Sequence, residues 1–96
     1  MDFTAYDLRV GTVVEAARAG NALRLTIDFG PTGRRASTAR ITERYAPADV
    51  LGRQVVAVMN PPNGDGEVVV LAALDATAGA VLLAPVGAVL DGTPVV

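Results

Sequence analysis

Short stretches in which apolar and polar residues alternate are the feature that most restricts what this chain can fold into. The clearest stretch runs from Ala22 to Phe29, where apolar residues at 23, 25, 27 and 29 alternate with Arg24, Thr26 and Asp28. A period of two predicts a β-strand with one buried and one solvated face. The sequence Gly30-Pro31-Thr32-Gly33 follows directly and predicts a turn. The chain is therefore expected to form short antiparallel strands.

Five further strands are predicted, over Leu8–Glu15, Arg34–Ile41, Gln54–Asn60, Glu67–Leu74 and Ala80–Ala84. Gly11 interrupts the first of them and indicates a bulge or sharp bend. Residues 42–52 predict a short helical connection after strand 3, because Pro47 suits the first turn of a helix and Gly52 its end. Asn63-Gly64 followed by Asp65-Gly66 predicts a hairpin turn between strands 4 and 5.

This order of elements favours a single all-β domain over residues 1–96. We interpret it as a small Greek-key OB-fold β-barrel, with the short helical connection after strand 3 and short N- and C-terminal extensions. An SH3-like barrel or a small sandwich would show the same pattern, so the alternation alone does not separate these architectures.

The late strands are apolar on both faces, at Val55–Met59 and Val68–Leu74. A small antiparallel barrel normally exposes one face of each strand to water. A second copy of the chain would cover such strands, which predicts a homodimer. The alternative is a compositional bias, because alanine and valine are abundant throughout the sequence.

The residue types that are missing exclude most catalytic chemistry. The 96 residues include no Cys and no His, all eight basic residues are arginines, and Ser37 is the only serine. A Cys/His zinc site is therefore excluded, and no His or Lys is present to activate a serine nucleophile. We predict a binding module that is not an enzyme and needs no cofactor or metal.

No apolar run approaches the roughly 18–20 residues of a membrane span, so we predict no membrane insertion. The first residues, MDFTAYDLR, do not form a signal peptide. A cytoplasmic location is the resulting expectation.

The arginines are concentrated in one part of a chain whose formal net charge is −2. Five of the eight lie between Arg34 and Asn60, and a sixth, Arg24, lies on the preceding predicted strand. An acidic domain that gathers its cations in one region is expected to bind an anion or an acidic surface there. The alternative is a solvated strand edge whose arginines pair with carboxylates, an arrangement worth only ~0–1 kcal/mol per pair.

Five blocks of sequence, in order and with matching spacing, carry a resemblance to a known family. They read DFTAYDLRVGTVVEA, LRLTIDFG, STARITERYAP with LGRQVVAVMN, EVVVLAAL, and AVLLAP with the terminal GTPV. The chain resembles the tRNA-binding domain family of OB folds, which includes domains of some methionyl-tRNA synthetases, EMAP-II-like domains and the small bacterial CsaA-like proteins. The CsaA-like members are the most similar. This resemblance implies an OB fold, a homodimer, and binding of tRNA or of unfolded polypeptides and preproteins, with secretion-chaperone activity.

In that family the ligand surface lies around the third strand and the loop between strands 4 and 5. The resemblance and the arginine cluster together predict a binding surface formed by Arg34, Arg35, Ser37, Thr38, Arg40, Arg44, Asn60 and Pro62. For Ser37 and Thr38 the alternative is ordinary strand hydroxyls facing water, and for Asn60 it is a cap of the neighbouring turn through its own backbone.

The loop PPNGDG departs from the family pattern, because it is shorter, lacks basic residues and contains Asp65. This departure weakens one side of the predicted RNA surface. Two hypotheses follow: a dimeric tRNA-binding module, or a chaperone-like binder of unfolded polypeptides with little or no RNA binding.

Overall fold

The computed structural model describes residues 5–62 and 65–96, which form an almost entirely β structure. The elements are β1 (Leu8–Ala19), β2 (Ala22–Asp28), β3 (Arg34–Ala39), α1 (Pro47–Val50), β4 (Gln54–Val58), β5 (Val69–Val70), β6 (Ala72–Asp75) and β7 (Gly79–Leu82). Strands β1 to β5 form one antiparallel sheet in the order β3-β2-β1-β4-β5, while β6 and β7 form a separate hairpin. The sheet curls into a half-barrel, which confirms the predicted OB-like fold.

Strand β1 is the longest element and organises the sheet. Its first half pairs with β4, from Leu8 opposite Val58 to Thr12 opposite Gln54, and its second half pairs with β2. The C-terminal segment occupies the other edge of the first half, where the Val95 N–H donates to the Leu8 carbonyl at 2.8 Å. The β1 strand therefore links residues from both ends of the chain.

The interior of the half-barrel follows the predicted alternation. Leu23, Leu25, Ile27 and Phe29 are all buried, and they pack with residues of β1, β4 and α1 in one hydrophobic core. The Val68 N–H donates to the Ala36 carbonyl at 2.9 Å, so the segment before β5 returns to β3 and covers the open side of the core.

Gly11 lies where β1 passes closest to this core. A Cβ atom at this position would lie 2.7 Å from both Ile27 Cγ2 and the Phe29 ring, so the close approach requires glycine. The predicted bulge is present in β1, but it lies between Val13 and Glu15, where the register with β2 shifts. Gly11 thus serves packing, and of the two predicted alternatives, a bulge or a sharp bend, the bulge does not lie at this position.

The predicted helical connection is confirmed as the short helix α1. Pro47 begins it, the Asp49 carboxylate accepts the Ala46 N–H at 2.8 Å, and Gly52 follows with a φ of +83°. Among residues 5–62 and 65–96, no helix has the length and apolar character needed to cross a membrane.

The predicted strand Glu67–Leu74 is wrong as a single element, because it is divided at Leu71 into β5 and β6, which belong to different sheets. The Leu71 N–H donates to the Val56 carbonyl at 2.9 Å, while the Leu71 carbonyl accepts the Leu83 N–H at 3.0 Å. Leu71 therefore lies between the end of β5 and the start of β6, and the β6–β7 hairpin follows it. The antiparallel pairing of β4 with β5 is as predicted, but the predicted turn at Asn63-Gly64 lies outside the described residues.

Two turns press against each other at one end of the barrel. Gly30 has a φ of +64° and Gly92 a φ of +91°. A Cβ on Gly30 would overlap the Asp91 carbonyl oxygen, and a Cβ on Gly92 would overlap the Phe29 carbonyl oxygen. The Gly92 N–H also donates to the Val10 carbonyl at 2.7 Å. Both glycines are therefore required by backbone conformation and by space.

Candidate nucleic-acid interface

The outer face of β2 and β3 carries the predicted basic surface. Arg24 lies opposite Thr38, and Asp28 lies opposite Arg34 in the register of the two strands. Thr38, Arg34 and the following Arg40 are exposed on the same face, as the alternation predicts. Arg34 and Arg40 are therefore exposed to solvent, whereas Arg35 alternates with Arg34 onto the other face of β3.

One cation on this face is neutralised by a neighbouring carboxylate. The Arg24 Nη1 atom lies 2.7 Å from Glu67 Oε2 and also donates to the Thr38 hydroxyl, which in turn donates to Glu67 Oε1 at 3.1 Å. Hydrogen bonds from Arg24 and Thr38 hold the pKa of Glu67 below its ordinary value. Glu67 therefore stays ionised at neutral pH, and the pairing is lost only as the pH falls through this lowered pKa.

The arginines of the predicted surface differ in whether their side chains are already bonded within the protein. Arg34 keeps a side chain that is 61% exposed, and its Nε lies 4.0 Å from the Asp28 carboxylate, at the limit of an ion pair. Arg40 is exposed and forms no ion pair with any residue in the described ranges. The Arg35 guanidinium is already bonded within the protein, because its Nε and Nη2 both donate to the Gly66 carbonyl, at 3.2 and 3.0 Å.

Arg44 follows in the turn between β3 and α1. Its guanidinium carbon lies 5.9 Å from the centre of the Tyr45 ring. That ring is only 8% exposed, and its hydroxyl accepts the Leu82 N–H at 3.1 Å, so Tyr45 closes the barrel rather than offering a face to a base. Arg34, Arg40 and Arg44 are thus the three predicted cations that remain available to a ligand.

Ser37 was predicted to lie on the binding surface, but the structure buries it. It is 0% exposed, and its Oγ has no hydrogen-bond partner within the part of the chain that the structure describes. The side chain lies on the inner face of β3, on the same side as the buried Ala39 and Ile41. A ligand on the outer face cannot reach it.

Asn60 holds the N-terminal segment against the end of β4. Its Oδ1 accepts the Asp7 N–H at 2.7 Å, and its Nδ2 donates to the Ala5 carbonyl at 3.3 Å. The side chain thus bonds a distant segment instead of capping its own turn, and both ends of its amide already have a partner. We conclude that its position is structural in this conformation.

Thr38 and Pro62, two of the predicted residues, meet in a cleft of about 310 Å³ between β3 and the β4–β5 connection. The cleft is lined by Thr38, Pro61, Pro62, Asp65, Glu67, Val68 and Val69. Among the described residues, its ionisable lining groups are the carboxylates of Asp65 and Glu67, and Glu67 is paired with Arg24. The cleft therefore adjoins the outer face that carries Arg34 and Arg40, next to Thr38 and the Arg24–Glu67 pair.

The Arg24–Thr38–Glu67 network is the part of this surface that the sequence did not reveal. Arg24 and Glu67 are separated by 43 positions in the chain, and no local pattern relates them. The strand register, which places Arg24 beside Thr38, was the only available signal.

No protein-family model matches the chain. Among curated proteins it is similar to the methionine–tRNA ligase of Methanothrix thermoacetophila, with 48% identity over 61 residues that cover 60% of this chain and 9% of the ligase. It is also similar to the methionine–tRNA ligase of Porphyromonas gingivalis W83, with 35% identity across 98% of this chain and 15% of the ligase. The chain therefore spans only a small fraction of the length of these relatives.

Two solved structures are similar to this chain along nearly their whole length. The chaperone CsaA of Bacillus anthracis has 41% identity and a TM-score of 0.89, covering 99% of this chain and 94% of that one. The CsaA chaperone protein of Picrophilus torridus has 33% identity and a TM-score of 0.85, covering 99% and 95%. Identity at this level over nearly all of both chains shows that this chain belongs to the CsaA family, the family that its sequence blocks and its OB-like half-barrel resemble.

Proposed function

We propose that this chain is a CsaA-like tRNA-binding module that contacts the RNA backbone through Arg34, Arg40 and Arg44. The observation that carries the proposal is the exposure of these three guanidinium groups, for which the 4.0 Å approach of Arg34 to Asp28 is the only ion pair among the described residues. A guanidinium group binds phosphate through two parallel hydrogen bonds. The similarity to methionine–tRNA ligases supports tRNA as the class of RNA.

We propose binding without catalysis. The sequence offers no Cys, His or Lys, and its only serine, Ser37, is fully buried. Tyr45 is buried as well, so base stacking on this side chain does not contribute. The interaction with RNA is therefore mainly electrostatic and should depend steeply on salt.

The experiment that tests this function is fluorescence anisotropy of labelled bulk tRNA between low and physiological salt. Each phosphate contact contributes roughly 0.7–0.9 to the slope of log K against log [salt], so three arginines predict a slope of about −2 to −3 per chain. Binding that does not respond to salt, or no binding even at low salt, would contradict the proposal.

Glu67→Gln is expected to strengthen tRNA binding. The substitution releases Arg24, which Glu67 now holds at 2.7 Å, and adds one cation to the outer face. The salt slope should steepen by roughly 0.7–0.9, as expected for one further phosphate contact. Asp65→Asn is the matched control, because it removes one negative charge from the same cleft but releases no arginine among the described residues. Equal effects of the two variants would show that only the overall charge matters.

We further propose that two copies assemble through exposed apolar side chains. Leu74 and Leu90 are 86% and 85% exposed in the single chain, and Val86 is fully exposed. Burial of such side chains is a favourable source of association free energy. A dimer would present two arginine surfaces to one tRNA and gain avidity. Sedimentation equilibrium should give twice the chain mass of 9.8 kDa, and a monomer at tens of micromolar would contradict this assembly.

A second candidate function is the binding of unfolded polypeptides and preproteins. The acidic cleft beside β3 favours it, because Asp65 and Glu67 accompany the partly exposed Val69 and two prolines. Such a lining suits an extended segment with apolar and cationic side chains better than it suits phosphate. Suppression of client aggregation at an equimolar ratio should then persist in moderate salt. Failure to slow aggregation of several unrelated clients would exclude this function.

A further inference from the structure

A groove between α1 and β7 carries one cation, Arg53, that the surface described above does not include. It has a volume of about 460 Å³ and is lined by Arg44, Tyr45, Asp49, Arg53, Val81 and Leu82. Two of these six residues carry a positive charge and one carries a negative charge. Its lining is therefore opposite in character to the acidic cleft beside β3.

The position of Arg53 is fixed by its backbone. Gly52, with a φ of +83°, ends the helical segment, and the Arg53 N–H then donates to the Val50 carbonyl at 3.0 Å. The Arg53 carbonyl accepts the Val13 N–H at 2.9 Å, which attaches this residue to β1. The exposed Arg53 side chain therefore extends from a backbone that two hydrogen bonds hold in place.

The opposite side of the groove is anchored through Tyr45. The Tyr45 N–H donates to the Ile41 carbonyl at 3.0 Å, and its hydroxyl accepts the Leu82 N–H at 3.1 Å. The turn that carries Arg44 is therefore tied to β7. Both arginines therefore extend from segments that hydrogen bonds hold against the barrel.

Two carboxylates near this groove, Asp49 and Asp75, accept hydrogen bonds from backbone N–H groups. Asp49 Oδ2 accepts the Ala46 N–H at 2.8 Å. Asp75 lies within electrostatic reach of Arg44, but its Oδ2 accepts the N–H groups of Ala78 and Thr77, which are the main cause of its lowered pKa. Within the described ranges, neither Arg44 nor Arg53 forms an ion pair.

We propose that the α1–β7 groove is a phosphate-binding site for the RNA backbone, with Arg53 as a contact that the family-based surface does not include. The inference rests on the proposed tRNA function and extends it. Arg44 belongs both to the turn after β3 and to this groove, so it connects the two surfaces. The RNA backbone would follow Arg40 and Arg44 toward Arg53, away from the carboxylates of Asp65 and Glu67.

The first test is the salt dependence of tRNA binding by Arg53→Gln. Loss of one phosphate contact should reduce the magnitude of the log K against log [salt] slope by roughly 0.7–0.9. Arg18→Gln is the matched control, since it removes one positive charge from the exposed end of β1. The Arg18→Gln slope should equal that of the wild type. If Arg53→Gln behaves like Arg18→Gln, the groove does not contact RNA.

The second test uses inorganic tripolyphosphate and does not depend on tRNA. In ¹H–¹⁵N NMR spectra, tripolyphosphate should shift the amide signals of Arg53, Val81 and Leu82, and the shifts should disappear in an Arg44→Gln/Arg53→Gln variant with an otherwise native spectrum. The absence of these shifts in the wild type would overturn the site. If they occur while wild-type tRNA binding is absent, the tRNA function fails and the phosphate site stands.

Discussion

Replacing Gly92 with alanine is expected to lower the free energy of unfolding by about 2–5 kcal/mol, which is a large part of the stability of a small domain. Two costs add. A φ of +91° costs an L-residue roughly 1–2 kcal/mol, and the new Cβ would overlap the Phe29 carbonyl oxygen, an overpacking cost of ~1–3 kcal/mol. Urea unfolding followed by circular dichroism measures the loss.

Gly20→Ala separates these two costs. Gly20 has a φ of +62°, yet nothing lies within 4 Å of the position where its Cβ would be. This control should lose only the roughly 1–2 kcal/mol that the left-handed conformation costs. If both variants lose the same amount, the close approach of the two turns at Gly30 and Gly92 does not limit stability.

The double substitution Arg34→Ala/Arg40→Ala is expected to have the largest effect on RNA binding. Two lost phosphate contacts should reduce the magnitude of the log K against log [salt] slope by about 1.4–1.8. Affinity should fall to a similar extent for different tRNA species, because phosphate contacts carry no sequence information. Anisotropy titrations of several labelled tRNAs at low and physiological salt measure both effects.

Arg34→Lys/Arg40→Lys is the matched control for this variant, because it keeps both charges and a similar side-chain length. Its salt slope should stay near that of the wild type, while some affinity is lost with the two-bond geometry of guanidinium. If the alanine variant keeps the wild-type slope of log K against log [salt], the outer face of β3 does not contact RNA. Polypeptides would then be favoured as the ligands of this domain.

The interior of the barrel could be predicted because local periodicity determines it. Leu23 to Phe29 alternate with a period of two, and all four apolar members are buried. The break at Leu71 could not be predicted, because this residue lies inside a continuous apolar run. Its position is set by hydrogen bonds to Val56 and Leu83, which are distant in sequence.

The candidate site was predictable to a smaller extent. The alternation itself places Ser37 and Arg40 on different faces of the predicted strand. The burial of Ser37 follows that pattern rather than the family-based assignment. Asn60 bonds a segment more than 50 positions away, and Val81 and Leu82 of β7 complete the groove that Arg44 and Arg53 line. Such tertiary contacts leave no periodic signal in the sequence.

The pairing of the C-terminal segment with the first half of β1 also has a consequence for synthesis on the ribosome. The Val95 N–H donates to the Leu8 carbonyl, so this edge of β1 stays unpaired until Val95 has been synthesised. At ~5–20 residues per second, translation leaves that edge open for roughly 4–17 seconds. An open strand edge can pair with other chains. This edge of the barrel therefore closes only after every strand from β1 to β7 has been synthesised.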